Sequence, residues 1–233
     1  MPRIAPTSRF ARLNGTFVPL LVALLILLVA APLVEGWPLL ATFLVSFVLV
    51  AGVFAVQGSP LVRLGAVAAF VVVLALRWLA HMRGEDHRTL MAVSHLATGM
   101  YMLLLGWICV AAVLRREQIT RDTVLGAVCG YILIAYVFTF AYAVLEDVRP
   151  GSFSNTVVLP GDHGARMGHL TPELLYYSFT TLTTVGYGDI FPVHPLARSL
   201  SILEMLAGPL YLAAFVARLV GVMNAGRSGS RDE

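Results

Sequence analysis

Seven consecutive residues in the second half of this chain offer the most distinctive chemistry. Residues 183–189 read Thr-Thr-Val-Gly-Tyr-Gly-Asp. Gly186 and Gly188 accept backbone conformations with positive φ that other residues resist, so successive carbonyl groups could turn toward one axis. A run of backbone carbonyls of this kind can replace the water shell of a potassium ion. One strand of carbonyls cannot surround an ion, and the chain carries the motif once, so the motif predicts several copies of the chain around that axis.

The composition indicates that this motif lies in a membrane protein. The 233 residues are 58% hydrophobic and 12% charged, with a mean hydropathy of +0.83, which is too apolar for a soluble domain. All 16 basic residues are arginines at the ends of apolar runs rather than on one face, which argues against nucleic-acid binding. Cys109 and Cys129 fall inside apolar runs, and no disulfide or metal motif is visible. We therefore expect neither a cofactor nor a catalytic centre.

Six apolar segments of about 20 residues are predicted to cross the membrane, because a hydrocarbon core of ~30 Å requires helices of that length. The predicted spans are residues 17–34, 38–56, 61–80, 89–114, 123–145 and 196–223, separated by turn-prone residues. The chain is thus predicted to be an all-α membrane protein. One alternative for the first segment is a cleaved signal peptide.

A short helix is predicted directly before the motif. Thr171 suits the N-cap and Pro172 suits the first helical position, and the helix is expected to end near Thr183. About 12 residues are too few to span a bilayer, so this helix should be re-entrant. Non-helical backbone at membrane depth survives only where it is buried in protein or lines a watery path, and the motif would do both.

The motif and its surroundings resemble the tetrameric potassium channel family. Residues 174–182, LLYYSFTTL, are similar to the family's pore helix with its aromatic pair, and Pro192 and Gly208 follow in step. The resemblance covers roughly residues 124–222. It implies six transmembrane helices per subunit, a re-entrant pore helix and filter loop, and a homotetrameric pore that conducts K⁺ passively. It divides the chain into a cytoplasmic N-terminus (1–16), a four-helix voltage-sensor-like peripheral domain without gating charges (17–122), a pore domain (123–223) and a short cytoplasmic tail (224–233).

The resemblance also assigns roles to individual residues around the motif. The ion-binding selectivity filter would be Thr184, Val185, Gly186, Tyr187 and Gly188, with K⁺ at the first four of these. Tyr187 is expected to pack against Tyr176 and Tyr177, and Asp189 to hold the outer end of the filter. Some relatives carry a carboxyl group at the position of Thr180, paired with the aspartate equivalent to Asp189. The hydroxyl in this chain argues against filter collapse controlled by such a pair.

The last predicted span contains two further candidate features. Glu204 is an acid in the middle of an apolar segment, so it should have a partner such as Ser178 or Thr181, or else be protonated. It is expected, with Thr180, to support the filter from behind; the alternative is a direct role in conduction or in a response to pH. Gly208 and Pro209 could loosen the helix and act as a gating hinge. One face of this helix comprises Pro209, Leu212, Ala213, Val216 and Val220. This face would either line an apolar cavity that closes by excluding water, or pack against a neighbouring helix.

The charge pattern bears on gating and orientation. Residues 89–114 contain no arginine, so strong voltage gating is not expected. If the filter opens to the outside, as in the family, both termini are cytoplasmic and the inner side holds more arginines, as the positive-inside rule requires. The expected location is a bacterial inner membrane, and the expected partners are K⁺, lipid and other copies of the chain. The alternatives are a non-conducting regulatory or assembly subunit and an ion-coupled transporter, whose internal repeats are not evident. An enzyme is the least expected class.

Overall fold

The computed structural model describes residues 17–34, 37–55, 60–83, 88–115, 120–155 and 170–228. The predicted N-terminal segment 1–16 and the end of the predicted tail, 229–233, lie outside them. The described part is mostly helical. Its helices are α1 (Val18–Ala30, continued by a 3-10 turn, Ala31–Val34), α2 (Pro38–Ala55), α3 (Pro60–Arg83), α4 (Arg88–Arg115), α5 (Arg121–Val148), α6 (Leu170–Leu182) and α7 (Pro195–Ser228), and its strands are β1 (Phe153–Asn155) and β2 (Ile190–Pro192).

Each predicted span coincides with a helix, but the helices differ in length. Among the described residues, four stretches are long and apolar enough to cross a membrane: Arg63–Ala80, Arg88–Leu114, Arg121–Val148 and Pro195–Val222. The two N-terminal stretches, Val18–Val34 and Leu39–Val53, are shorter. At ordinary rises per residue, α1 with its 3-10 turn covers about 28 Å and α2 about 27 Å, close to the ~30 Å of a hydrocarbon core. The helices fit an integral membrane protein, and the count of six spans stays a prediction.

Helix α5 is the element against which the others are placed. It begins with a reciprocal cap, in which the Thr120 hydroxyl accepts from the Thr123 amide and the Thr123 hydroxyl accepts from the Thr120 amide, both at 3.3 Å. Helix α4 packs along its length, and α1, α6 and α7 also contact it. The elements that surround the motif are therefore positioned by α5.

The peripheral helices and α5 share one hydrophobic core. Leu24, Leu49, Leu105 and Leu133, from α1, α2, α4 and α5, are all buried within it. Two tyrosine hydroxyls that enter this core donate to backbone carbonyls of α1 and α2, as buried phenols require. The predicted boundary near residue 122 thus falls inside a continuous packed region.

The segment around the motif differs from the prediction in two details. Helix α6 begins at Leu170, one residue before Thr171, so Thr171 lies in the first turn and not at the N-cap. Strands β1 and β2, which were not predicted, pair antiparallel with Phe153 opposite Pro192 and Asn155 opposite Ile190. This pairing joins the end of α5 to the residues that follow the motif.

Candidate functional site

The C-terminal end of α6 holds the first part of the motif through backbone hydrogen bonds. The Thr184 amide donates to the carbonyl of Thr181 at 3.0 Å. The amides of Val185 and Gly186 both donate to the carbonyl of Thr180, at 2.9 and 3.2 Å. The path of the motif is therefore fixed by the helix that precedes it.

Every second residue of the motif has a positive φ. The φ angles are 60° at Thr184, 54° at Gly186 and 78° at Gly188. When left- and right-handed conformations alternate, successive backbone groups of one kind point the same way. The glycines were expected to adopt such angles, but Thr184 was not. A left-handed residue other than glycine costs about 1–2 kcal/mol, and strain of this kind concentrates at functional sites.

The other side of the motif is open in the single chain. The side chains of Val185 and Tyr187 are 53% and 72% exposed. A Cβ atom added at Gly186 or Gly188 would meet nothing within 4 Å. The motif is thus backed by α6 on one side and has space for other groups on the other.

Tyr176 and Asp189 contact the second half of the motif and its end. The rings of Tyr176 and Tyr187 are stacked, with centroids 6.3 Å apart and planes 3° apart. The Asp189 carboxylate accepts a hydrogen bond from the Tyr176 hydroxyl, and this bond raises the pKa of the hydroxyl above its ordinary value. The same carboxylate accepts from the amide of Ile190 at 3.0 Å. Asp189 therefore links the end of the motif to α6 and to β2.

Tyr177 turns away from the motif within the single chain. Its ring packs edge-to-face against Tyr142 and Phe153, with centroids 5.4 and 5.3 Å away, and its hydroxyl lies 2.6 Å from that of Ser201. Within one chain, Tyr187 therefore packs against Tyr176 alone of the expected pair. The reason is geometric, because neighbouring residues on a helix do not face the same partner.

Thr180 and Glu204, two other residues expected to support the filter, make well-defined contacts. The Thr180 hydroxyl donates back to the carbonyl of Tyr177 at 2.9 Å. Glu204 is fully buried, and one of its oxygens accepts from the Tyr142 hydroxyl at 2.6 Å. Its other oxygen is hydrogen-bonded to the hydroxyl of Ser178. Ser178 was one of the anticipated partners, whereas Tyr142 was not anticipated.

Gly208 occupies a point of close approach between helices. Helix α7 continues without a break through Gly208 and Pro209. A Cβ atom at Gly208 would collide with the carbonyl oxygen of Leu182, the last residue of α6. The Tyr131 hydroxyl donates to that same carbonyl at 3.4 Å. The glycine is thus required for packing, while its action as a hinge stays a prediction.

The face of α7 that was expected to line a cavity points away from the chain's own helices. Its five residues, Pro209, Leu212, Ala213, Val216 and Val220, are all exposed in the single chain. The adjacent face carries Ser201, Glu204 and Gly208 and is buried against α5 and α6. The helix therefore has one face for its own subunit and one that is free for other contacts.

Glu146 is a candidate functional residue that sequence reasoning missed. Its carboxylate accepts from the amides of Gly151, Ser152 and Phe153, at 2.5, 2.9 and 3.3 Å. The carbonyl of Ser152 in turn accepts from the amide of Val193 at 2.8 Å. Glu146 thus fixes the turn that leads into β1 and, through β1, the strand after the motif. An acid in the last turn of a helix is disfavoured by the helix dipole, and this signal could have indicated a bound partner.

We expect Glu146→Gln to loosen this turn, because the amide group would present donors to three N–H groups that need acceptors. The expected loss is about 1–3 kcal/mol of local stability. Amide hydrogen exchange of residues 151–155 in lipid nanodiscs measures it. The matched control is Asp147→Asn, since Asp147 makes no hydrogen bond to this turn in the described structure and instead lies 2.7 Å from His95 Nδ1. Equal exchange of the turn in both variants would contradict the assignment.

The His95–Asp147 contact also defines how α4 meets α5. Both side chains are largely buried, and the contact joins the N-terminal half of α4 to the last turn of α5. His95 additionally packs against the ring of Phe140, with centroids 6.1 Å apart. The histidine is therefore a partnered residue of the helix interface.

Comparisons with known proteins agree with the position of this site. Residues 130–225, which contain α6, the motif and most of α7, match a family described as "Ion channel". The chain is 33% identical over 87 residues to the inward rectifier potassium channel Kirbac3.1 of Paramagnetospirillum magnetotacticum. The aligned residues make up 36% of this chain and 23% of the relative. It is 34% identical over 79 residues to the two pore potassium channel c of Oryza sativa subsp. japonica, covering 33% of this chain and 16% of the relative.

The family match lies in the second half of the chain. The aligned part spans less than a quarter of each of these two relatives. No solved structure matches the chain significantly.

Proposed function

We propose that this chain, which belongs to the potassium channel family, conducts K⁺ passively and selectively across a membrane. The observation that carries the proposal is the backbone of residues 184–188. Positive φ at every second residue, in a segment held by α6 and open on its other face, suits a row of carbonyls that faces a permeating ion.

The ion would be bound by the carbonyls of Thr184, Val185, Gly186 and Tyr187, with Gly188 completing the selectivity filter. The Thr184 hydroxyl would add a ligand below them. The C-terminal end of α6 carries the negative end of its dipole and would favour a cation in the space beneath the filter. K⁺ is here the permeant ion, and the proposed mechanism requires no cofactor.

Four copies of the chain are proposed to form the pore. Two observations support an assembly: Val185 and Tyr187 are exposed in the single chain, and so is one apolar face of α7. Large apolar side chains that are exposed together mark surfaces that pack against other groups. Four-fold symmetry itself rests on the resemblance to the family.

The proposed channel is not strongly voltage-gated. Within α4 the only arginines are its first and last residues, Arg88 and Arg115. A voltage sensor needs several arginines within the span to move in the field. Residues 17–122 are proposed as a peripheral unit that supports the pore, with both chain termini in the cytoplasm and the protein in a bacterial inner membrane.

Potassium flux tests this proposal. The full chain, purified and reconstituted in liposomes with a K⁺ gradient and no other channel, should release K⁺ and exclude Na⁺. Protein-free liposomes and liposomes with a Thr184–Gly188 deletion are the controls. An assembled protein that passes neither ion would favour the non-conducting subunit, and one that passes both equally would contradict K⁺ selectivity.

If the apolar face of α7 forms the gate, a polar side chain in place of Val216 should favour the open pore. This residue is 55% exposed in the single chain, and an apolar constriction closes by excluding water. We therefore expect Val216→Ser to raise the open probability in single-channel recordings. Val216→Leu keeps the site apolar and is the matched control. An unchanged open probability in the serine variant would remove the gate from this position.

A further inference from the structure

A buried carboxyl group joins the three helices that surround the filter. Glu204 of α7 contacts Ser178 of α6 and Tyr142 of α5 and is inaccessible to solvent. In the described structure, His95 and Asp147 form an ion pair, and Glu204 forms none. A carboxylate buried at membrane depth without a cation is costly.

A count of the available protons limits the ways in which this site can be hydrogen-bonded. The Ser178 hydroxyl oxygen lies 2.8 Å from the carbonyl oxygen of Ala135 and is also hydrogen-bonded to Glu204. A serine hydroxyl has one proton, and a carbonyl oxygen only accepts. If Ser178 donates to Ala135, the proton in its contact with Glu204 has to come from Glu204. The second carboxyl oxygen is already occupied as an acceptor, because the Tyr142 hydroxyl donates to it at 2.6 Å.

We propose that Glu204 is a neutral carboxylic acid and that its proton completes a directed chain of hydrogen bonds. In this chain, Tyr142 donates to Glu204, Glu204 donates to Ser178, and Ser178 donates to the backbone of α5. The chain holds α6 between α5 and α7. Glu204 is then a positioning residue for the filter, since Thr180, two residues after Ser178, carries the carbonyl that binds Val185 and Gly186. The functional part of this inference rests on the proposed function.

In the described part of the chain, the groups that contact the Glu204 carboxyl group are the hydroxyls of Tyr142 and Ser178, and neither is a base that would take its proton at neutral pH. Tyr131 on α5 also interacts electrostatically with Glu204. Tyr177, next to Ser178 on α6, has its hydroxyl engaged with Ser201. If Glu204 loses its proton to alkaline solvent, Ser178 faces two acceptors with one proton. One of the two hydrogen bonds is then lost, which weakens the contact of α6 with either α5 or α7. The proposal therefore predicts a pore that is stable at low and neutral pH and disturbed as the pH rises.

Infrared difference spectroscopy tests the proton directly. The full chain in lipid vesicles is compared with Glu204→Gln at neutral pH. We expect the carbonyl stretch of a protonated carboxylic acid in the wild-type protein and its loss in the variant. A difference spectrum that contains only carboxylate bands would overturn the proposal. Ser178→Ala is a second variant, needed if Glu204→Gln does not fold; it should shift the acid band because the acid loses its acceptor, and an unshifted band would also overturn the assignment.

Conduction provides a separate readout. The K⁺ flux of each protein is measured at neutral and alkaline pH and normalised to its own value at neutral pH. The wild-type flux should fall as the pH rises, and the fall should be absent in Glu204→Gln, whose amide cannot ionise. An equal fall in both proteins would overturn the role of the proton in the pore. If no protein conducts at all, the proposed function fails, while the infrared band still decides the protonation of Glu204.

Discussion

Gly208→Ala should strongly destabilise the protein, whereas Gly221→Ala on the same helix should not. A methyl group at position 208 would collide with the carbonyl oxygen of Leu182 and would also lie 3.3 Å from the side chain of that residue. The colliding atom belongs to the backbone at the end of α6, so it cannot move without moving the filter. Overpacking of this kind costs about 1–3 kcal/mol or more.

Thermal unfolding in lipid nanodiscs measures this effect. At Gly221 an added Cβ meets nothing within 4 Å, so alanine there should be neutral or should gain up to about 1 kcal/mol of helix propensity. The pair also separates two functions of Gly208. If this glycine served only as a hinge, alanine would stabilise the helix and raise the unfolding temperature. A Gly208→Ala protein that melts at or above the wild-type temperature would therefore contradict the close-approach assignment.

Gly186→Ala should abolish potassium-selective conduction while the protein still folds. The φ angle of 54° at this residue is unfavourable for alanine, by about 1–2 kcal/mol in each copy and so about 4–8 kcal/mol around a ring of four. The added methyl group itself meets no atom within 4 Å of the single chain, so steric damage to the subunit is not expected. The cost falls on the geometry of the carbonyls that would face the ion.

Gly151→Ala is the matched control for this second variant. Gly151 also has a positive φ, 83°, and open space around its Cβ position, but it lies outside the filter. It should show comparable backbone strain and keep its selectivity for K⁺ in liposome flux measurements. Wild-type selectivity in Gly186→Ala would contradict the assignment of residues 184–188 as the filter.

The helices could be predicted from the sequence because their signals are local. Apolar segments of about 20 residues, separated by glycine, proline and charged residues, placed helices α1 to α5 and α7. The brevity of α6 followed from its position between Pro172 and the motif. Strands β1 and β2 have three residues each, which is too few for an alternating pattern to be visible. Glu146 holds the turn before β1, and its position in the last helical turn indicates that it needs a partner but not which amides it binds.

The chemistry of the site was partly predictable for the same reason. Glu204 could be expected to find a hydroxyl partner, because an acid in an apolar span requires one. The second hydrogen bond comes from Tyr142 because of the way α5 packs against α7. The spacing of residues along the sequence does not predict that packing. Likewise, Gly208 was read as a hinge because its neighbour is a proline, whereas its contact with Leu182 is visible only once both helices are placed.

The central claim is selective conduction of K⁺, and a reversal potential tests it most directly. The purified full chain is fused into a planar bilayer with K⁺ on one side and the same concentration of Na⁺ on the other. For a K⁺-selective pore, the voltage at which the current reverses should lie far from zero. Its sign should be the one that opposes the flow of K⁺ out of its own compartment. A current that reverses at zero would mean that Na⁺ passes as readily as K⁺, and it would contradict the account.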